Sequence, residues 1–363
     1  IYFKKINSSL NVDKINMIMN KKILVTGSSG HLGAALVITL RQRGFDVISI
    51  DIKPSNTTDI VGSITDKKFI NSCMRDVDSV IHTATLHKPH IVTHSYEKFI
   101  ETNVLGTLNI LKLSKLMNVK SFIYVSTTST FGDALIPDKG LPAAYIDEST
   151  NTIPKNIYGV TKQSAEDLCQ IFHRNYNLPC LVLKLSRFFQ EEDDCRIARK
   201  NFDSDNLKAN EYLYRRVDIQ DAVEAIILAM EKAPRKKFNR YIISANSPFS
   251  KDDMAMLRIN APSVVEKYFP EYVEIYKDFN WKMNSIIDRV YINTKAREEL
   301  GWSPVFDFKH VLTSLKLGKN FRSPLALEIG SKGYHDEIFE DGPYPVFEYT
   351  IQPPHIEEID GYV

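Results

Sequence analysis

The stretch Thr26–Gly33, TGSSGHLG, constrains this chain more than any other. It follows the apolar run Ile23-Leu24-Val25 and opens a segment in which Leu32, Leu36 and Leu40 recur at helical spacing. Glycines have three jobs between a buried strand and a helix. Gly27 permits the tight turn, Gly30 lets the backbone approach a pyrophosphate, and Gly33 allows helix and strand to pack closely. The unpaired amides at the helix start then face the phosphates, which adds His31 and Leu32 to the predicted contacts. The next apolar run ends in Asp51, 24 residues beyond Gly27. A carboxylate there accepts hydrogen bonds from adenine ribose hydroxyls and repels a 2′-phosphate. No arginine follows it, although Lys53 is near, so NAD is favoured over NADP, with Ile52 beside the ribose.

The pattern after residue 21 is strand, turn and helix, repeated. KILVTG, DVISID, SVIHTA, SFIYVS and CLVLKLS suit buried parallel strands, and amphipathic stretches separate them. Gly44 closes the first helix. This alternation predicts an α/β fold, a Rossmann-type doubly wound parallel sheet. Past residue 190 the regularity weakens. EEDDCRIARKNFDSDN reads as a polar surface excursion. DIQDAVEAIILAMEKA reads as a helix with Ala222, Val223, Ile226, Ile227 and Met230 on its apolar side, and NRYIISA as one more strand. The expected division is an N-terminal extension outside the fold (1–20) and an NAD-binding Rossmann domain (21–190). A smaller α/β substrate lobe with a C-terminal tail (191–363) completes it, the chain crossing back to the first domain. The tail from Pro324 shows no periodicity and is expected to wrap the surface or reach a partner subunit.

Composition narrows the partners. Of 363 residues, 43% are hydrophobic and 25% charged, as in a globular protein with a real core. A net charge of +1 gives no global field for nucleic acid or an anionic membrane. No apolar run approaches the roughly 18 residues of a membrane span. Cys73, Cys169, Cys180 and Cys195 form no C-x-x-C pair, so reduced thiols and a cytoplasmic location are expected.

YGVTK places Tyr158 and Lys162 four residues apart, on one helix face. A phenol of pKa about 10 is a poor base at neutral pH, and a neighbouring ammonium favours its phenolate. The pair then exchanges a substrate hydroxyl proton during hydride transfer. Such a pair is common by chance. Here it follows both the glycine turn and a strand ending in VSTTSTFG.

Taken in order, TGSSGHLG, Asp51, VIHTA, ETNVLGTLNIL, VSTTSTFG and YGVTK resemble the extended short-chain dehydrogenase/reductases, and within them the NAD-dependent epimerase/dehydratase family. The likeness runs over roughly residues 21–235 and resumes at VYINTKAREELGWSP. It implies a catalytic triad of Thr127, Tyr158 and Lys162, with the Thr127 hydroxyl on the substrate oxygen. It implies that Asn103 braces the cofactor domain and that Ala84 and Thr85 lie along NAD. Ser63 and Ile64 stand where such proteins carry Asp-Ile or Asp-Leu near the adenine, so Ser63 is a departure. A homodimer through helices flanking Asn103 and following Tyr158 is also implied. Leu105, Leu108 and Leu111 fit that interface and burial within the subunit equally well.

Three reactions suit this apparatus: 4-epimerisation of a nucleotide sugar, 4,6-dehydration, and net oxidation or reduction with a dissociable cofactor. Dehydratases of the family carry an Asp-Glu pair directly after the catalytic Thr. Thr128 and Ser129 stand there, and neither does carboxylate work, so Thr128 is assigned to substrate contact. Two departures touch the sugar-nucleotide side. In SRFFQEEDD, Arg187 matches the family Arg and Gln190 takes the place of the substrate-binding Asn. In YRRVDIQD, Tyr214 takes the place of a phosphate-binding Arg, and Arg215 or Arg216 is expected to serve an anionic substrate instead. The expected function is NAD-dependent nucleotide-sugar epimerisation. The alternatives are a dehydrogenase or reductase of another hydroxyl or carbonyl compound and a non-catalytic NAD sensor.

His82, His87, His90 and His94 crowd one segment, but Pro89 is expected to break any helix aligning them, and no metal is assigned. His87 is expected at the substrate mouth. Glu191-Glu192-Asp193-Asp194 is expected to be a solvated loop, and Trp302 to be core.

Overall fold

The computed structural model describes residues 21–335 and Phe339; the predictions for residues 1–20, and for most of the tail past 335, lie outside the described residues. Seven parallel strands form the main sheet: β1 (Lys22–Thr26), β2 (Asp46–Asp51), β3 (Ile60–Val61), β4 (Ser79–His82), β5 (Ser121–Thr127), β7 (Cys180–Leu185) and β8 (Phe238–Ile243). Their spatial order is β3-β2-β1-β4-β5-β7-β8. β6 (Ala144–Ile146) and β9 (Arg289–Tyr291) pair as a separate small parallel sheet. The strand order reverses between β1 and β4, so the crevice for a ligand opens at the carboxyl ends of these two strands.

Side-chain alternation along each strand sends residues to two cores. Ile23 and Val25 of β1, with Ile123, Leu181 and Leu183, meet α1 (His31–Gln42) and the later helix Ile219–Lys236 on one face. Leu24, Phe122, Tyr124 and Val182 meet α2 (Lys67–Cys73), α4 (Thr107–Leu116) and α5 (Ile157–Tyr176) on the other. Gly44, at φ +82°, turns the chain out of α1 and donates its N–H to the Arg41 carbonyl at 2.9 Å. The short α3 (Tyr96–Phe99) runs through a π-helical turn, Ile100–Gly106, into α4.

The polar stretch expected to be a surface excursion, residues 191–206, is partly helical. α6 (Arg196–Asn201) and α7 (Ser204–Glu211) follow residue 195, and α7 buries Leu207, Ala209, Asn210 and Glu211. α8 (Ile219–Lys236) returns to the main sheet and lies beside β8. α9 (Met254–Leu257), α10 (Ala261–Tyr268), α11 (Tyr272–Asp278) and α13 (Phe308–Lys316) enclose a separate aromatic core of Tyr212, Phe249, Tyr276 and Phe308. α12 (Thr294–Leu300) leads to Trp302, which is buried and donates its indole N–H to the Asp221 carbonyl at 2.9 Å. The first part of the tail is ordered into α14 (Pro324–Ile329), whose Leu325 and Ala326 join the core with α1 and α8. Among the described residues no helix is long and apolar enough to cross a membrane. Cys73, Cys169, Cys180 and Cys195 are all free thiols.

Candidate active site

One cavity of about 1020 Å³ runs along the carboxyl ends of the strands, from Asp51 past the glycine turn to Tyr158 and Arg215. The glycine turn owes its shape to contacts a side chain would prevent. Gly27 sits at φ +75° and donates its N–H to the Ile50 carbonyl at 2.8 Å. A Cβ on Gly27 would lie 2.7 Å from the Ala84 backbone nitrogen, and one on Gly33 would overlap the Gly27 carbonyl oxygen. Gly30 is the N-cap of α1 and brings no capping side chain, so the helix end stays open to an anion. Asp51 accepts from the Ser29 N–H and the Lys53 N–H, each at 2.9 Å, which aims its carboxylate beside the turn.

Of the predicted cofactor residues, Gly27, Gly30, His31, Leu32, Gly33, Asp51, Ile52, Ser63, Ile64, Ala84 and Thr85 all line this cavity. Asn103 does not. Its side chain accepts from the Leu86 N–H at 2.7 Å and donates to the Leu86 carbonyl at 3.1 Å and the Thr161 hydroxyl at 3.0 Å. It ties the segment after β4 to the helix that carries Tyr158 and Lys162. The arrangement suits a dinucleotide: a glycine cradle with no room for side chains, an open helix end and a fixed carboxylate.

β5 ends at Thr127, whose hydroxyl accepts from the Ser129 N–H at 3.1 Å and so caps the following 3₁₀ turn, Thr128–Phe131. Tyr158 and Lys162 project from the first turns of α5, whose N-cap Asn156 accepts from the Gly159 N–H. Thr127, Tyr158 and Lys162 meet at one end of the cavity with Thr128. The Lys162 ammonium donates to the Val125 carbonyl at 2.6 Å and lies 4.2 Å from the centre of the Tyr124 ring. Burial depresses its pKa to about 7, against the pull of Glu166. Burial likewise pushes the Tyr158 phenol up to about 12, with a hydrogen bond to Thr127 acting the other way.

Glu166, one turn beyond Lys162, is fully buried. It accepts from the Ser126 hydroxyl at 2.5 Å, the Lys184 ammonium at 2.7 Å and the Arg240 guanidinium at 3.1 Å. Spacing alone did not point to it.

The far end of the cavity is lined with charge. Arg187 reaches it from the end of β7, meeting Asp193 at 2.8 Å, and Arg215 meets Glu211 at 2.7 Å. Lys88 bridges to Asp194 at 2.9 Å. Expectations change at Arg216, at Gln190 and in the carboxylate run 191–194. Arg216 is 2% exposed, held by Glu211 and the Phe189 carbonyl, and lies outside the cavity lining. Gln190 also lies outside it and accepts from Arg322 at 2.8 Å, because the chain leaves the cavity wall after Arg187, Phe188 and Phe189, which line it. The carboxylate run is not a solvated loop: Glu191 and Asp193 are buried, and Asp194 is bound to Lys88 and Arg187.

His87 lines the cavity with its ring 5.9 Å from that of Tyr158, and burial holds it well below the usual histidine range. Pro89 does not abolish helical structure there but occupies the first turn of a 3₁₀ helix, Lys88–Val92, where its missing N–H costs nothing. The His90 and His94 rings meet edge to face, 5.3 Å apart, yet among the described residues no group of three or more His, Cys, Asp or Glu is arranged to hold a metal. Lys332, Gly333 and Tyr334 also line the cavity. Nothing in the sequence near them marked a site.

The profile of the NAD dependent epimerase/dehydratase family matches residues 23–243. The chain is 29% identical over 192 residues to dTDP-D-glucose 4,6-dehydratase of Dictyostelium discoideum, a match covering 47% of this chain and 44% of that enzyme. It is 25% identical over 339 residues to UDP-glucuronic acid decarboxylase 1 of Arabidopsis thaliana, covering 86% of this chain and 72% of that one. In fold it is similar to UDP-glucose 4-epimerase of Thermotoga maritima, solved with UDP-glucose, with a TM-score of 0.57 and 23% identity over 82% of this chain and 96% of that one. The glycine cradle, the carboxylate at the end of β2 and the family match agree, and the chain belongs to the NAD-dependent epimerase/dehydratase family, a family of enzymes, with NAD as its cofactor.

Proposed function

We propose that this enzyme is a nucleotide-sugar 4-epimerase. The observation that carries the reading is the meeting of Thr127, Tyr158 and Lys162 with Thr128 and Ser129, and no carboxylate, directly after Thr127. Dehydration needs a further acid and base at those positions, which disfavours the activity of the Dictyostelium relative.

The glycine turn, the open end of α1 and Asp51 would hold NAD, which when bound supplies a reversible hydride acceptor. The other steps belong to the chain. Thr127 orients the sugar hydroxyl through its own Oγ. The Tyr158 Oη takes the hydroxyl proton and later returns it to the carbonyl oxygen, as general base and then general acid. The Lys162 ammonium favours the phenolate once its proton is retained. Arg187 and Arg215 would meet the anionic part of the substrate through planar N–H forks. Asn103 keeps the Leu86 segment and α5 in register.

A second reading has its own support. Arg187, Arg215 and Lys88, the cations that line this end of the cavity, are each already paired with Asp193, Glu211 or Asp194. That balance suits an oxidoreductase acting on an uncharged hydroxyl or carbonyl compound. Incubation with a panel of nucleotide sugars and no added cofactor, read by NMR, separates the two. Interconversion of epimers without net NADH supports the epimerase. No turnover by a folded, NAD-loaded protein favours the second reading.

We also propose a homodimer through α4 and α5. Leu116, Ile171 and Tyr176 on these helices are exposed, as is Leu105 in the π turn, whereas Leu111 is core. Sedimentation equilibrium tests it, and a monomer at micromolar concentration would rule it out.

A further inference from the structure

The segment after α14 crosses the mouth of the NAD cavity. Gly330 and Gly333, at φ +59° and +70°, let it turn sharply. It is pinned by one carboxylate. Glu191 Oε1 lies 2.6 Å from His31 Nε2, at the very start of the glycine-turn helix. The same oxygen accepts the Lys332 N–H at 2.8 Å and the Gly333 N–H at 3.0 Å. Charge-assisted bonds of this kind are about twice as strong as neutral ones, and here they join three distant parts of the chain at a buried point. Two further steps along, the His335 imidazole Nε2 lies 3.0 Å from the Pro89 carbonyl, on the opposite bank of the cavity.

Between these anchors the side chains turn to the cofactor's path. The Lys332 ammonium donates to the Ser29 carbonyl at 2.9 Å, inside the glycine turn, and Asp51 is the charged group it senses. The Tyr334 ring lies 5.8 Å from His31, 5.9 Å from His87 and 5.9 Å from Phe189, which spans the cavity from the glycine turn to the neighbourhood of Tyr158. The segment has a cation at the phosphate end and an aromatic ring at the reacting end.

We infer that residues 330–335 are part of the NAD site: Lys332 contributes a cation to the phosphate seated on the glycine turn, and the Glu191 latch holds the segment across the bound cofactor and slows its release. The inference rests on the NAD site and not on the sugar chemistry. An enzyme that returns the hydride it has taken needs a cofactor that stays for the whole cycle, so a latched cover serves that chemistry.

NADH binding to the cofactor-stripped protein, followed by fluorescence titration and by stopped-flow displacement, tests it. Lys332→Ala removes one charge-assisted contact and is expected to weaken NADH about tenfold or more, with Lys332→Arg restoring most of the loss. The salt dependence of binding should become shallower in Lys332→Ala. Glu191→Gln loosens the latch and is expected to raise the release rate at least tenfold. The Lys332 side chain is not core, so the melting temperature of the stripped Lys332→Ala protein should match the parent; if Glu191→Gln fails to fold, the Lys332 pair carries the test alone. Unchanged NADH affinity in Lys332→Ala overturns the inference. Tighter binding also overturns it, because the segment would then be keeping the cofactor out.

Discussion

Removing the Tyr158 hydroxyl has a consequence that can be worked out in advance. Burial pushes the phenol up to about 12. At about 1.36 kcal/mol per pKa unit, the phenolate is several kcal/mol uphill at pH 7. The bound cofactor and a protonated Lys162 have to lower this cost before the phenolate is a useful base. In Tyr158→Phe there is no proton acceptor to lower. Positioned acid–base groups contribute about 10²–10⁴-fold, which is about 2.7–5.4 kcal/mol of barrier. The substitution should otherwise be silent. The ring packs against Leu86 and Phe99, and Phe preserves that packing, so the stability change is confined to one hydroxyl hydrogen bond, about 0.5–1.5 kcal/mol. Single-turnover appearance of bound NADH, with NADH affinity measured alongside, is the assay. The prediction is a loss of at least about a hundredfold in the chemical step with unchanged NADH affinity. A variant within tenfold of the parent rate would remove Tyr158 from the chemistry.

Other consequences follow from the same geometry. Lys162 holds a proton to pH 10.5 in the unfolded chain but only to about 7 in the folded one, so stability of the cofactor-free enzyme should rise as pH rises across that interval. Lys162→Met should therefore abolish turnover yet be more stable than the parent at pH 7, by up to a few kcal/mol at about 1.36 kcal/mol per pKa unit, with the difference shrinking towards pH 10; a lower melting temperature at pH 7 contradicts the burial argument. Glu166→Gln leaves Lys184 and Arg240 without their buried counter-charge and should cost about 3–5 kcal/mol, measured by denaturant unfolding. Asp51→Ala should raise the affinity for NADP relative to NAD, and an unchanged ratio would show that Asp51 is not the selecting group. Gly33→Ala, which would drive a methyl into the Gly27 carbonyl, should lose NAD binding by calorimetry.

The parts of this enzyme governed by local rules were legible in the chain. All six apolar runs, KILVTG to NRYIISA, became strands of the main sheet, because buried parallel strands are written as continuous apolar segments. The glycine turn was legible because each glycine answers to a separate steric demand. The charged half of the cavity was not. Whether Arg215 or Arg216 faces the ligand depends on which way the chain turns after Glu211, and both meet the same carboxylate from opposite sides. Glu191 looked like one member of a solvated acidic run; its partner His31 is 160 residues away, and no pattern within either segment announces the other. Lys332 and Tyr334 belong to a stretch without periodicity, and the packing of α14 on α1 and α8, with the bonds to Glu191, brings them to the cavity.

The central claim is an internal hydride cycle on NAD that never leaves. Its most direct measurement uses a nucleotide sugar carrying deuterium at C4, incubated with the enzyme and no added cofactor, with the epimer analysed by NMR. The account predicts that the epimer keeps its deuterium and that no free NADH accumulates. Hydrogen from solvent at C4, or release of labelled NADH into solution, would contradict it.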